Sequence, residues 1–247
     1  MKTKMAKSFY SKATPRSIWS WCLFDWANSA YPTIITTFVF ATYFSEAVAK
    51  TKQIGMAEWG FSIGASGIII AILAPILGSI ADYGTGRKVW LGLFTILCVM
   101  GSAALWWVQP LPSYVTFAMI AVIVGTVGLE LGMVFYNAML HDLVPYQYTG
   151  RLSGWAWGVG YFGGLVSLVI ALQVFIEHGA EWFGLDKVTA QHLRINGPFV
   201  AVWFALFAWP LFVWVKEPRE SLKPIPIAVR DGVGALIKTL RSLRQHK

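Results

Sequence analysis

The sequence predicts an all-α membrane protein, a bundle of six transmembrane helices, and two observations carry that prediction. Hydrophobic residues make up 56% of the 247 residues and charged residues only 13%, with a mean hydropathy of +0.58, whereas soluble domains average about 45–50% apolar and about 25% charged residues. Several apolar runs approach the roughly 20 residues that a helix needs to span a bilayer. These runs do not alternate apolar with polar residues, as the strands of a membrane β-barrel do. The composition therefore excludes an ordinary soluble domain, and the runs favour helices.

The apolar segments and the charges between them predict the topology. Sixteen of the 20 Lys and Arg residues lie in the N-terminal arm, the loops after the second and fourth segments, and the C-terminal tail. Because cytoplasmic loops are enriched in Lys and Arg, we expect both termini in the cytoplasm of a bacterium, and the protein in its inner membrane. The predicted parts are a basic arm over 1–17, a transmembrane domain over 18–215, a basic tail or linker over 216–247, and six segments at about 17–45, 60–82, 88–108, 113–140, 151–177 and 198–215.

The first segment carries polar residues where lipid disfavours them. In "LFDWANSAYPTIITT" (23–37), Asp25, Asn28 and Ser29 fall on one helical face at about 100° per residue. An ionised carboxylate near the bilayer centre costs at least about 2.5–3.5 kcal/mol, so such residues usually face a water-filled cavity or a partner. We therefore expect this face to line a cavity. A structural role for Asp25 near the cytoplasmic edge is an equally good interpretation.

The fourth segment carries a second acidic residue, Glu130, and two helical faces of different character. Thr126 and Asn137 share the face of Glu130, whereas the opposite face carries three glycines: Gly125, Gly128 and Gly132. At about 1.5 Å per residue, Glu130 and Asn28 both lie roughly 15 Å from the cytoplasmic ends of their helices. The polar face predicts a substrate or proton pathway, and the glycine face predicts close helix packing. The alternative for Glu130 is that it ties the fourth helix to the first.

Small residues are frequent in the second and fifth segments. The stretches "GFSIGASG" (60–67) and "SGWAWGVGYFGG" (153–164) are typical of helices that pack closely against other helices. The third and sixth segments are nearly pure apolar and aromatic, which favours a lipid-facing position. Cys22 and Cys98 both fall in apolar segments without metal-ligand spacing, so we expect no disulfide framework, metal or cofactor.

The loop after the second segment, "GSIADYGTGRK" (78–88), resembles the signature loop of the major facilitator superfamily. That signature reads Gly-x-x-x-Asp-x-x-Gly-Arg-Arg/Lys, and this chain has one extra residue before the Gly-Arg pair. The resemblance implies a gating role in which the acidic residue helps to hold the cytoplasmic ends of two halves together. A basic loop that only sets topology is the alternative. The matching residues are Gly78, Asp82, Gly86, Arg87 and Lys88.

Two longer stretches, "FDWANSAY" (24–31) and "YNAMLHDLVPYQYTGRLSGWAWGVGYFGG" (136–164), resemble the vacuole-effluxer branch of that superfamily. Its fungal members are linked to amino-acid export from the vacuole, and its bacterial members are largely uncharacterised. The resemblance implies the fold of the N-terminal half of such a transporter. Because these transporters contain two six-helix halves, it also implies a second half as partner: a separate chain, a missing C-terminal part or another copy. The family motif positions are Asp25, Asn28 and Asn137, with Asp142 and Arg151 in the second cytoplasmic loop.

The sequence favours a secondary active transporter, or its N-terminal half, over two other classes. The expected solute is small and polar, such as an amino acid, moved by alternating access and coupled to protons. A membrane-embedded enzyme is disfavoured because the sequence has no Gly-x-Ser-x-Gly elbow, no His-Glu-x-x-His and no Gly-rich phosphate loop. A truncated, non-transporting membrane scaffold is the other alternative, and nucleic acid is not an expected partner.

Overall fold

The computed structural model describes residues 14–83 and 86–217, with the backbone alone of Asp82 and Tyr83. All regular secondary structure in these residues is helical. Five of the helices are long and apolar enough to cross a membrane. The predicted all-α fold is therefore confirmed. The basic arm over 1–13 and the tail from residue 218 lie outside the described residues.

The first apolar segment is a helical rod in which α and π turns alternate. Thr14 caps its start, because its hydroxyl oxygen accepts the Ser17 amide. Pro32 lacks the N–H that would bond the carbonyl four residues back, and the wider π turns begin at this point. The Thr36 hydroxyl donates to the Pro32 carbonyl at 2.9 Å. The rod consists of α1 (Pro15–Asn28), a π-helical stretch (Tyr31–Phe38), α2 (Phe40–Tyr43) and a second π-helical stretch (Phe44–Val48).

The other five predicted segments each coincide with a helix of 18 to 32 residues. Two helices begin earlier than the sequence predicts, at Lys52 rather than about 60 and at Tyr146 rather than about 151. Their first turns are polar, so hydropathy marks the start of the apolar stretch and not of the helix. The helices are α3 (Lys52–Tyr83), α4 (Arg87–Ala104), α5 (Val115–Leu143), α6 (Tyr146–Ile170, continued by π turns over Ala171–Glu177), α7 (Gly179–Phe183), α8 (Gln191–Arg194) and α9 (Asn196–Trp214).

The packing of α5 against α4 brings backbone onto backbone. A Cβ atom on Gly128 would lie 2.7 Å from the Cys98 nitrogen, and one on Gly101 would lie 2.7 Å from the Ala121 carbonyl oxygen. Only glycine permits such an approach without displacement of a helix. The glycine face predicted for the fourth segment is the face that packs on α4.

Two aromatic residues clasp α1 to α5. The rings of Trp21 and Tyr136 stack with centroids 4.4 Å apart. The Trp21 indole nitrogen Nε1 donates to the Tyr136 carbonyl at 3.2 Å, and the Tyr136 hydroxyl donates to the Trp21 carbonyl at 3.0 Å. Both polar groups are buried and paired, as a membrane interior requires. The clasp therefore sets the register of α1 against α5.

Some glycines of α6 pack against α1, whereas the glycines in the middle of α3 are uncovered. A Cβ atom on Gly163 would lie 2.7 Å from the Trp26 carbonyl oxygen. Six other glycines on these two helices have no atom within 4 Å of such a Cβ outside their own helix: Gly60, Gly64 and Gly67 on α3, and Gly150, Gly154 and Gly158 on α6. The close packing expected of 60–67 is therefore absent within the described part of this chain. Helices α4 and α9 each bury one face and expose another.

Candidate functional site

A cavity of about 240 Å³ lies between α1, α5 and α6. It contains the three polar residues that the sequence predicts for the first segment. Its lining residues are Asp25, Asn28 and Ser29 from α1, Met133 from α5, and Trp157, Gly160 and Tyr161 from α6. The predicted polar face of α1 therefore does line a cavity.

Asp25 and Asn28 form a buried acid–amide pair in this cavity. Asp25 is 6% exposed, and Asn28 Nδ2 donates to its Oδ1 at 3.1 Å. The same nitrogen also lies 3.4 Å from Met133 Sδ. Both amide hydrogens are thus in use, and the Asn28 amide oxygen has no donor among the described residues. The Ser29 hydroxyl donates to the Asp25 carbonyl at 2.7 Å, so its hydrogen is also committed.

The α6 wall of the cavity is aromatic. Gly160 allows α6 to approach α1, since a Cβ atom there would lie 2.9 Å from Ser29 Oγ and 3.2 Å from the Asp25 carbonyl oxygen. Trp157 and Tyr161 flank this glycine, and their rings meet edge to face with centroids 5.9 Å apart. These rings are 61% and 68% exposed. The cavity thus combines a carboxylate from α1 with two exposed aromatic side chains from α6.

The predicted residues of the fourth segment take two different positions. Thr126 contacts the Tyr31 hydroxyl, with 3.3 Å between the two oxygens, and so takes part in holding α5 against the π-helical stretch that follows α1. Glu130 and Asn137 lie on the exposed face of α5. Neither residue lines the cavity.

The aromatic clasp gives the depth of Glu130. Trp21 and Tyr136 lie at the same depth, and α1 and α5 run antiparallel. The residue six positions before Tyr136 is therefore level with the residue six positions after Trp21. Glu130 is therefore level with Ala27, one residue from Asn28. In the described part of the chain Glu130 makes no hydrogen bond and no ion pair. No contact in the described residues therefore supports Glu130 as a structural tie between the two helices. The Trp21–Tyr136 clasp makes that connection instead.

Arg87 joins three helices at the cytoplasmic end predicted from charge. Its Nε donates to the Ala81 carbonyl of α3 at 2.7 Å, and its Nη1 donates to the Ala138 carbonyl of α5 at 3.1 Å. Nη1 also pairs with Asp142 Oδ2 at 2.5 Å. The Ala81 carbonyl belongs to the last turn of α3, where no helical amide reaches it. Two residues that the sequence assigns to gating, Arg87 and Asp142, are therefore in contact.

Lys88 performs a similar linkage between α4 and the end of α9. Its backbone N–H donates to Glu217 Oε1 at 2.6 Å, and its Nζ donates to the Phe212 carbonyl at 2.6 Å. The Glu217 carboxylate thus caps the start of α4, and the Lys88 ammonium caps the end of α9, both favourable for the helix dipoles. Arg87 and Lys88 are adjacent in sequence and bind different helices.

The other residues predicted for the two loops lie apart from the Arg87 and Lys88 contacts. Gly86 begins α4 with φ of +73°, a left-handed conformation that favours glycine. Gly78 faces α5, and a Cβ atom there would make an ordinary van der Waals contact with Val134 Cγ1 at 3.9 Å. Arg151 is exposed on α6 and borders a groove apart from the Arg87 cluster. The Asp82 side chain lies outside the described residues.

An ordered loop at the opposite end of the helices was missed by sequence reasoning. The Arg194 guanidinium is buried and donates to the Trp106 carbonyl at 2.7 Å and the Thr189 carbonyl at 3.2 Å. Hydrogen bonds from Thr189 and from the Val188 amide lower the pKa of Asp186. These contacts organise the 178–197 loop.

Comparisons with known proteins identify the family. Residues 56–247 match the family described as "Vacuole effluxer Atg22 like". The chain belongs to the Atg22-like vacuole effluxer family. The resemblance predicted from the sequence is therefore confirmed.

Two relatives of this Atg22-like chain differ from it in length. It is 32% identical over 231 residues to the uncharacterized MFS-type transporter YxiO of Bacillus subtilis (strain 168). The aligned residues make up 92% of this chain and 53% of YxiO. It is 29% identical over 193 residues to an uncharacterized protein of Aquifex aeolicus (strain VF5), 77% of this chain and 44% of that protein. The chain thus spans about half the length of these relatives.

Solved structures confirm the predicted fold of one transporter half. An inward-open structure of the xylose transporter XylE from E. coli has a TM-score of 0.64 and 18% identity, covering 92% of this chain and 56% of XylE. The proton:xylose symporter XylE bound to 6-bromo-6-deoxy-D-glucose has a TM-score of 0.59 and 17% identity. The match covers 95% of this chain and 52% of the symporter chain. At these identities the likeness concerns the fold alone. The relatives with assigned names are transporters and not enzymes.

Proposed function

We propose that this chain forms one half of a secondary active transporter that moves a small polar solute, an amino acid being the candidate, by alternating access. The observation that carries the proposal is the cavity that Asp25 and Asn28 line together with Trp157 and Tyr161. A buried carboxylate beside an open cavity within a membrane helix marks a solute or ion pathway. Membership of the family supports transport over a scaffold or an enzyme.

The proposed partner is a second half that completes the cavity. The uncovered glycines of α3 and α6 leave smooth helix surfaces, and such surfaces in lipid suit close contact with another helix. The chain also spans about half the length of its relatives. The second half is a separate chain, a C-terminal continuation or another copy.

Transport itself is the first test. The chain reconstituted alone into liposomes is expected to show no saturable uptake, and uptake should appear when a second half is co-reconstituted. Saturable uptake by the purified monomer would reject the need for a partner. Absence of uptake from the assembled pair, with a panel of amino acids and amines as solutes, would reject the transport proposal in favour of a scaffold.

Glu130 is the proposed site of proton coupling. It is exposed on α5, level with the Asn28 region, and without an ion pair in the described residues. In the assembled transporter, Glu130→Gln should retain size and fold, lose accumulation driven by a pH gradient, and keep exchange of solute across the membrane.

A matched control for Glu130→Gln is Glu181→Gln, the same change in the 178–197 loop, which should leave accumulation unchanged. Accumulation that persists in a stable Glu130→Gln protein would eliminate the coupling role. The gating role of Asp82, Arg87 and Lys88, and the orientation with both termini in the cytoplasm of a bacterial inner membrane, are further parts of the proposal.

A further inference from the structure

We infer that the cavity between α1, α5 and α6 binds an organic cation, and that the recognised group is the ammonium of an amine-bearing solute. The inference rests on the proposed function, because it names the chemical class of solute for that site. Asp25 would bind the ammonium, and Trp157 and Tyr161 would lie against the rest of the cation.

The hydrogen-bonding inventory of the cavity favours a donor-rich ligand. The Asn28 amide hydrogens bond Asp25 and Met133, and the Ser29 hydroxyl bonds a backbone carbonyl. What α1 presents to a ligand is therefore the Asp25 carboxylate and the Asn28 amide oxygen, both acceptors. The only free donors on the lining side chains are the neutral indole N–H and phenol O–H of the aromatic wall.

The distribution of charge favours a positive ligand. No Lys, Arg or His is among the residues that line the cavity. The described cations lie nearer the helix ends, for example Arg87 and Lys88 at one end and Arg194 at the other. A buried carboxylate without a cation is costly unless it takes up a proton, and a bound ammonium would stabilise its ionised form.

The aromatic wall adds a second, independent contribution. Trp157 and Tyr161 leave 61% and 68% of their surface open, and an ammonium within about 6 Å of such a ring is attracted to its face. An anionic solute would meet the same rings and the same carboxylate with repulsion instead. The cavity of about 240 Å³ suits a small amine rather than a polycation.

Three probes that share a phenyl ring and differ in charge test the inference: phenethylamine, phenylalanine and 3-phenylpropionate. Binding is measured by isothermal titration calorimetry on the full chain in lipid nanodiscs. Phenethylamine should bind tightest, phenylalanine at least fivefold more weakly because its carboxylate approaches Asp25, and 3-phenylpropionate not measurably.

Variants connect the binding to the cavity. Asp25→Asn should lower phenethylamine affinity at least tenfold. Trp157→Ala, at an exposed position where the fold does not depend on the ring, should lower it severalfold. Glu181→Gln, outside the cavity, should leave it unchanged. If Asp25→Asn fails to fold, Trp157→Ala and the order of the probes still decide.

Each contrary outcome identifies what failed. Equal or tighter binding of 3-phenylpropionate or phenylalanine, reduced by Trp157→Ala, would overturn the cation class while the solute site stands. Binding of phenethylamine that survives both Asp25→Asn and Trp157→Ala would place the amine elsewhere and overturn the inference. A cooperatively melting chain that binds none of the three would overturn the inference, whereas uptake by the assembled pair tests the proposed function separately.

Discussion

Three glycines of α6 meet different surroundings, so one substitution at each gives a graded prediction. A Cβ atom on Gly163 would lie 2.7 Å from the Trp26 carbonyl oxygen and 2.9 Å from its Cα. One on Gly160 would lie 2.9 Å from Ser29 Oγ, and one on Gly154 would have no atom within 4 Å. Gly→Ala therefore adds a clash with backbone at Gly163, a clash with a side chain at Gly160, and no clash at Gly154.

The expected free energies follow from two opposing terms. Overpacking typically costs about 1–3 kcal/mol, and alanine is favoured over glycine within a helix by about 0.5–1 kcal/mol. At Gly163 the clashing atoms are backbone and cannot rotate away, so the net loss should be about 1–2 kcal/mol. At Gly154 only the helix term applies, so the variant should be more stable than wild type by about 0.5–1 kcal/mol.

Thermal unfolding in detergent, followed by circular dichroism, measures this series. At about 2–4 °C per kcal/mol for a chain of this size, Gly163→Ala should melt several degrees below Gly154→Ala. Gly160→Ala should fall between them and also weaken phenethylamine binding, because it displaces Ser29 and Asp25. Equal melting of all three variants, or a Gly163→Ala protein as stable as wild type, would refute the packing of α6 on α1.

Three further predictions concern the contacts of Arg87, the aromatic clasp and the topology. Arg87→Gln and Asp142→Asn should each destabilise, and a double-mutant cycle in melting experiments should give a coupling of about 0.5–3 kcal/mol; additive effects would show that the pair does not contribute. Tyr136→Phe keeps the ring on Trp21 but removes one hydrogen bond, so it should cost about 0.5–1.5 kcal/mol in denaturant unfolding, and an unchanged midpoint would contradict the clasp. A reporter inserted at Ala190 should be accessible only from outside the cell, and cytoplasmic behaviour would overturn the six-helix topology.

The helical fold and the faces of α5 were predictable because they depend on local properties. Hydropathy detects an apolar run without knowledge of its neighbours, and angular spacing separated Glu130 from the glycine Gly128 that packs on α4. The π turns after Asn28 were not predicted, although Pro32 signals a break in the hydrogen-bond pattern. The link from Lys88 to Glu217 was also missed, because it joins residues 129 positions apart.

The aromatic wall of the cavity shows where local reasoning stops. In "GWAWGVGYFGG" glycines occur all round the helix, and their spacing does not reveal that Gly160 and Gly163 meet α1 whereas Gly154 meets nothing. Trp157 and Tyr161 were therefore interpreted as part of a packing segment. Once Gly160 contacts Asp25, the residues three before and one after it are carried to the edge of the cavity. The candidate solute site is thus a consequence of how α6 packs on α1, and a substitution that only changes packing at Gly160 is expected to change binding as well.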